Sequence, residues 1–233
     1  VDGESVVWDV GANCGVFAFS AAQAKQIVAV EADPETFSSS WEHGGIVIFD
    51  MHDTGVQLRM FIAMDDPEHA EKRKTIAPAV APSEIAKLTG PLRQRTADIL
   101  DSLPVGEEFD WVHSVSIPLT TAMIATLFDF PWEDRRLLPF WSDVAANVEQ
   151  FGDPTAQEVR LGHLRDMGTY FKRLWDERLE GEAAPDLLSR MIRSDVTGSM
   201  SMNEFIGALT LLVVGGNDTT RNSMSALVNA LDK

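Results

Sequence analysis

The chain has 233 residues, enough for one large domain or two small ones. With 45% hydrophobic and 24% charged residues it has the composition of a folded globular protein, which excludes a disordered or collagen-like chain. A formal net charge of −17 argues against a nucleic-acid binder, whose phosphate contacts need clustered Lys and Arg, and against attachment to an anionic membrane. The longest apolar stretch, around Phe205 to Gly216, is too short and too interrupted to span a bilayer. A single cysteine, Cys14, excludes a disulfide framework and a Cys-based zinc site, and fits a reducing, cytoplasmic compartment.

Taken in chain order, Val6 to Val10 reads as a buried strand, Gly11 to Gly15 as a tight glycine turn, Val16 to Lys25 as a short Ala-rich helix and Gln26 to Val30 as a second strand. This is one β-α-β unit with a parallel pair implied. From Ser38 onward the chain is mainly α. The stretch from Gly44 to Met64 reads as loop with short strands, and a helix is then signalled at Asp66-Pro67-Glu68 and runs to about Ala77. Further helices are predicted at 82–103, 112–128, 132–147, 155–180, 186–193 and 202–231. That over 155–180 is amphipathic, with Leu161, Leu164, Met167, Phe171 and Leu174 at spacings of three and four. The chain opens on Val1-Asp2-Gly3 and closes at Lys233 within a helical pattern, so it is expected to be a piece of a longer protein.

Three constellations carry chemistry. The first is Asp9-Val-Gly11-Ala-Asn13-Cys-Gly15, a strand ending in Asp followed by glycines that let a ligand approach the backbone, with Glu31 at the end of the next strand, placed to bond ribose hydroxyls. The second pairs His69 with Arg73, four residues apart on one helical face, where two donors could grip carboxylates. The third lies in the last helix. Six consecutive poor helix formers, Gly215 to Thr220, interrupt an otherwise buried apolar segment. Gly215 and Gly216 remove side chains where a planar group could press, and Asp218 and Thr219 offer an acid and a hydroxyl beside the gap, a pair suited to relaying protons. The alternative is a helix break at which Asp218 caps a new helix.

Residues 5–35 resemble motif I of class I S-adenosylmethionine-dependent methyltransferases, in particular the FkbM type. That resemblance implies that Asp9, Gly11, Asn13 and Gly15 line the methionine part and Glu31 the ribose. It also demands several further parallel strands, and nothing after residue 40 alternates strand with helix. From about residue 38 to 233 the chain resembles the cytochromes P450. The marks are His69-x-x-x-Arg73 and Gly215-Gly216-x-Asp218-Thr219-Thr220, and the strings Met60 to Asp65, Leu127 to Arg135 and Val214 to Asn222 are similar to bacterial members that hydroxylate medium-chain alkanes at the terminal carbon. Ile27 to Ser39 suits both families, so a join between them is expected at 16–37, dividing the chain into 1–37 and 38–233.

The second resemblance implies a truncated P450 fold, from the B to the I helix, behind a short βαβ-like segment. It implies that His69 and Arg73 bond haem propionates, that Gly215 and Gly216 border the dioxygen groove, and that Asp218 and Thr219 deliver protons to bound dioxygen. Ile46, Ile48 and Phe49 would help line an apolar alkane or fatty-acid pocket. The implied partners are a ferredoxin and its NADH-dependent reductase. The thiolate cysteine and the Glu-x-x-Arg that follow the I helix would lie beyond Lys233, and Cys14 lacks the neighbours of a thiolate loop. The chain is therefore expected to be inactive alone, with the apolar faces of Met123 to Phe128 and Leu211 to Val214 partly uncovered. Two other readings stay open: a methyltransferase remnant, and a non-catalytic helical module with a weak ligand site.

Overall fold

The computed structural model describes residues 6–9, 26–29, 38–43, 58–147, 153–182 and 184–231. The chain divides into two compact units, one of residues 1–53 and 62–69, the other of residues 54–61 and 70–233. In the first unit, β1 (Val6–Asp9) pairs in parallel with β2 (Gln26–Ala29), Val6 opposite Gln26 and Asp9 opposite Ala29. A parallel pair needs a crossover of a dozen or more residues, and 16 residues separate the two strands in sequence. The sheet has two strands among the described residues. Farther on, Asp65 accepts hydrogen bonds from the Ser38 hydroxyl at 2.5 Å and the Ser39 amide at 2.8 Å, tying residues 38–39 to the approach of the first helix. The Ser38 bond, then the Ser39 bond, holds the Asp65 carboxyl below the usual carboxylate range.

That helix, α1 (Glu68–Ile76), starts one residue later than the Asp-Pro signal implies. Asp66 and Pro67 form a turn, and the His69 amide donates to the Asp65 carbonyl. The second unit continues with α2 (Pro82–Asp101), α3 (Ile117–Phe128), α4 (Leu137–Ala146), α5 (Pro154–Leu179), α6 (Leu187–Arg193) and α7 (Met202–Leu231). Two predicted helices open differently. A π-turn over Val112–Ser116 precedes α3. Residues 132–136 are turns closed by bonds three residues apart, Leu137 to Asp134 and Leu138 to Arg135, so α4 begins only at Leu137. Asp134 is turned toward Tyr170, whose hydroxyl donates to it at 2.6 Å. Burial first, and then that carboxylate, push the Tyr170 phenol up to about 12.

The starts of α5, α6 and α7 are closed by side chains. Asp153 accepts from the Thr155 and Ala156 amides and Asp186 from that of Ser189. At α7, Ser201 and Glu204 form a capping box: Ser201 Oγ accepts the Glu204 amide and Glu204 Oε2 accepts the Ser201 amide. Glu204 also receives buried Lys72 of α1 at 3.0 Å. The core lies where α3, α4, α5 and α7 meet. Phe128, Phe130, Trp141, Tyr170 and Phe171 form one aromatic cluster, Phe171 fully buried with its ring 5.2 Å from that of Phe128 and 5.3 Å from that of Phe130. Gly168 lets α5 and α7 close up, since a Cβ there would lie 2.5 Å from Ile206 Cγ1. Of the two segments expected to be uncovered, Ile124, Ala125, Phe128 and Val213 are buried, while Met123, Leu127, Leu211, Leu212 and Val214 are half-buried.

Burial opposes the charge on Glu204, but the Ser201 hydroxyl and Lys72 outweigh it and hold the carboxyl at about 2, against an ordinary 4.5. A depressed folded value stabilises the fold above the unfolded value, and that contribution is lost as pH falls through the folded one. Urea midpoints should therefore fall for the parent between pH 4.5 and pH 2 by more than for Glu204→Gln; parallel losses in the two proteins would contradict the pairing.

Candidate functional site

The glycine-rich stretch does not break its helix. α7 is continuous from Met202 to Leu231, and Asp218 caps nothing. Propensity alone favours a break, but tertiary packing overrides it. Phe205, Ile206, Ala208, Leu209 and Val213 are buried along one side. The same side continues through Gly216, where a Cβ would collide with Ile124 Cδ1 of α3, and through Asn217, which is fully buried. The Thr120 hydroxyl donates to Asn217 Oδ1 at 2.5 Å. Two turns on along α7, the hydroxyls of Ser225 and Ser116 meet at 3.1 Å. These contacts hold α7 in register against α3 where its own residues would let it fray.

Fixing that side turns the other outward. Gly215 is exposed, with nothing within 4 Å of a Cβ built on it. Thr219 is exposed one turn later, and its hydroxyl donates to the Gly215 carbonyl at 2.7 Å. The result is a bare notch in the helix with a hydroxyl at its rim. The two glycines thus do different work: Gly215 leaves the outer face open, and Gly216 admits Ile124 on the inner one.

Asp218 is half-buried between these faces. It takes a charge-assisted bond from Arg221 on its own helix, and Asn222 Nδ2 donates to its other oxygen at 3.3 Å. Arg221 also reaches Asp143 of α4 at 2.7 Å. Burial disfavours the guanidinium charge, but Asp143 and then Asp218 outweigh it and raise Arg221 above its ordinary value. Asp218 is bonded to Arg221 and Thr219 to Gly215, so the acid and the alcohol are held separately. Sequence reasoning singled out neither Asn217 nor Arg221. An amide and a cation at helical spacing on either side of the acid were the available signal.

The remaining candidates fall elsewhere. α1 carries His69 and Arg73 one turn apart; His69 is half-buried with Nδ1 3.5 Å from Asp66, and Arg73 is exposed. Asp9 ends β1. Gly11, Asn13, Cys14, Gly15, Glu31, Ile46, Ile48 and Phe49 lie outside the described residues. Among the described residues no group of His, Cys, Asp and Glu is placed to hold a metal ion, and no helix is long and apolar enough to cross a membrane.

No family model matches the chain. Linalool 8-monooxygenase of Pseudomonas putida is 28% identical across 99% of this chain and 58% of that protein. Steroid C26-monooxygenase of Mycobacterium tuberculosis is 31% identical across 80% of this chain and 44% of that protein. Among solved structures, cytochrome P450-153 from Novosphingobium aromaticivorans superposes with a TM-score of 0.77 at 50% identity, covering 85% of this chain and 50% of that one. CYP153D17 from a Sphingomonas species gives 0.78 at 48% identity, over 87% and 51%. The chain spans about half the length of these relatives. It is mainly helical and matches their fold as a partial chain.

The two glycines can be told apart by stability. Gly215→Ala should stabilise the chain by roughly 0.5–1 kcal/mol, the ordinary gain in a helix. Gly216→Ala should destabilise it by about 1–3 kcal/mol through overpacking, and Ile124→Val, which deletes the clashing Cδ1, should recover part of that loss. Equal effects of the two glycine variants in urea denaturation would refute the assignment of inner and outer faces.

Proposed function

This chain is homologous to the cytochromes P450, and on that footing we propose that it forms the helical half of a haem-thiolate monooxygenase that hydroxylates medium-chain alkanes or fatty acids at the terminal carbon. The observation that carries this reading is the notch on α7. Gly215 presents bare backbone, and Thr219 sets a hydroxyl one turn away on the same exposed face. A flat macrocycle fits against a helix only where side chains are missing, so the residues present fit a haem. Haem, when bound, supplies the dioxygen-activating chemistry.

The chain's own residues divide the remaining work. Arg73, exposed on α1, and His69 one turn before it would donate to the propionates, whose negative charge needs such donors in a chain of net charge −17. Thr219 Oγ1 would hand a proton across the notch in place of its bond to the Gly215 carbonyl. Asp218, partly open to solvent, would resupply that proton when released from Arg221. Gly216 acts at one remove, by seating α7 on Ile124 so that Gly215 and Thr219 face outward. Electrons would come from a small iron–sulfur ferredoxin served by an NADH-dependent reductase.

Cys14 is the single cysteine of the 233 residues, and it stands in a glycine turn motif without the neighbours of a thiolate loop. We therefore propose that this polypeptide by itself forms no haem thiolate and hydroxylates nothing. A second reading attaches to residues 5–35, where β1 and β2 pair in parallel as a strand-edge site for S-adenosylmethionine requires, but the sheet has two strands among the described residues and that reading needs more. Calorimetric titration with that compound tests it, and absence of binding removes it.

The main test is a chimera. Joined to the residues that follow the corresponding helix in the Novosphingobium protein, the chain should hydroxylate a medium-chain alkane with ferredoxin, reductase and NADH. Thr219→Ala and Asp218→Asn should each lower product by about tenfold or more, with peroxide released instead. An inactive chimera that nonetheless holds a thiolate-ligated haem would overturn the substrate reading. Conversely, the 233-residue polypeptide, loaded with haem and reduced under carbon monoxide, should lack the red-shifted thiolate band, and its appearance would overturn the argument from Cys14.

A further inference from the structure

A second concavity is lined by residues other than those of the notch, and is linked to them through Asp143, which bonds Arg221. It is bounded by α2, the π-turn, α3, residues 132–136 and α4, and has a volume of about 730 Å³, within the range of small-molecule sites. We infer that this groove binds an amphipathic carboxylate with an aliphatic body, of the class of a medium-chain fatty acid.

The charge is the first argument. In a chain with 36 acidic and 19 basic residues, Arg95, Arg135 and Arg136 converge on one groove. Of its two acidic members Asp143 is bound to Arg221, and Asp98 accepts from the neutral Gln94 amide at 2.8 Å, so three arginines face one uncompensated carboxylate. Arg136 is exposed and has no hydrogen bond or ion pair among the described residues. The groove therefore presents uncompensated positive charge on a forked donor, the geometry that suits a carboxylate.

The second argument is an unpartnered polar atom. Thr121 lines the groove and is only 4% exposed, yet its Oγ1 has no hydrogen-bond partner. A buried hydroxyl left unpaired is destabilising, and turning its Oγ1 toward the groove would let a ligand oxygen relieve it. The body of the ligand follows from the remaining walls. Ile99, Ile117, Pro139 and Phe140 are apolar and suit a hydrocarbon. Trp132 offers little for an aromatic ring to stack on, because Arg95 and Arg135 both lie over it, at 4.4 and 4.3 Å from its centroid. An alkyl chain is thus favoured over an aryl group.

The inference is independent of the monooxygenase reading, and its test contains no haem. Calorimetric titration of the 233-residue chain with decanoate should saturate at one site, with decanol and inorganic phosphate each at least about tenfold weaker. Arg136→Ala, on the surface, and Thr121→Val, nearly the same shape, should each weaken decanoate about tenfold with the circular dichroism unchanged. Arg165→Ala, on the exposed face of α5, should leave binding as it was. The proposal is overturned if decanoate fails to saturate, if decanol or phosphate binds as tightly, if Arg136→Ala has no effect, or if Arg165→Ala has the same effect as Arg136→Ala.

Discussion

The seating of α7 on α3 is the constraint on which the rest depends. Gly216 lies against Ile124 and Asn217 takes the Thr120 hydroxyl, so the rotation of a 30-residue helix is set at its least helix-prone point. Everything on the opposite face inherits that choice. Gly215 is bare and Thr219 sits at its edge because the inner face is occupied one and two residues away. A rotation of a single residue, about 100°, would bury the notch and expose Asn217. Polar groups specify this seam more sharply than apolar contact would, since a slipped register leaves a buried amide and a hydroxyl unmatched.

Charge is organised in the same spirit. The chain is strongly acidic, yet three of its cations sit at structural junctions. Lys72 is buried against Glu204 at the start of α7. Arg178 joins the end of α5 to the carbonyls of Phe128 and Asp129, where Asp129 turns the chain in a left-handed conformation, and to Asp186 at the start of α6. Arg221 ties α7 to α4 through Asp143 while holding Asp218. Net charge is thus a poor guide to local field, and the arginine-lined groove between α2 and α4 is the plainest instance.

The arrangement also separates two tasks that lie side by side in sequence. Residues 215 to 221 include one position for an open face, one for packing, one for a buried bond, one for an acid and one for the cation that restrains it. Adjacent helical residues point about 100° apart, so one short string serves the interior, the rim and the outside at once. The acid is held by Arg221 and Asn222 of its own helix, and the hydroxyl by the Gly215 carbonyl.

Most helices were legible in the sequence, because apolar spacing and turn residues are local signals: 82–103, 155–180, 186–193 and 202–231 differ from the observed bounds by two residues or fewer. So was the likeness to the cytochromes P450, carried by short strings whose chemistry needs those residues together. The starts of α3 and α4 were not legible, since a π-turn and a run of tight turns depend on partners such as Tyr170 that are distant in sequence. The helix at 202–231 was predicted, but a break at Gly215 to Thr220 stayed open as the alternative, and only the packing of Ile206, Val213 and Asn217 excludes it. The separate fates of Gly215 and Gly216 also needed the fold, because two identical residues differ only in what stands opposite them. The sequence by itself determined which residues could make a site; the tertiary structure decided which of them face outward, since the orientation of a helix is set by what it packs against.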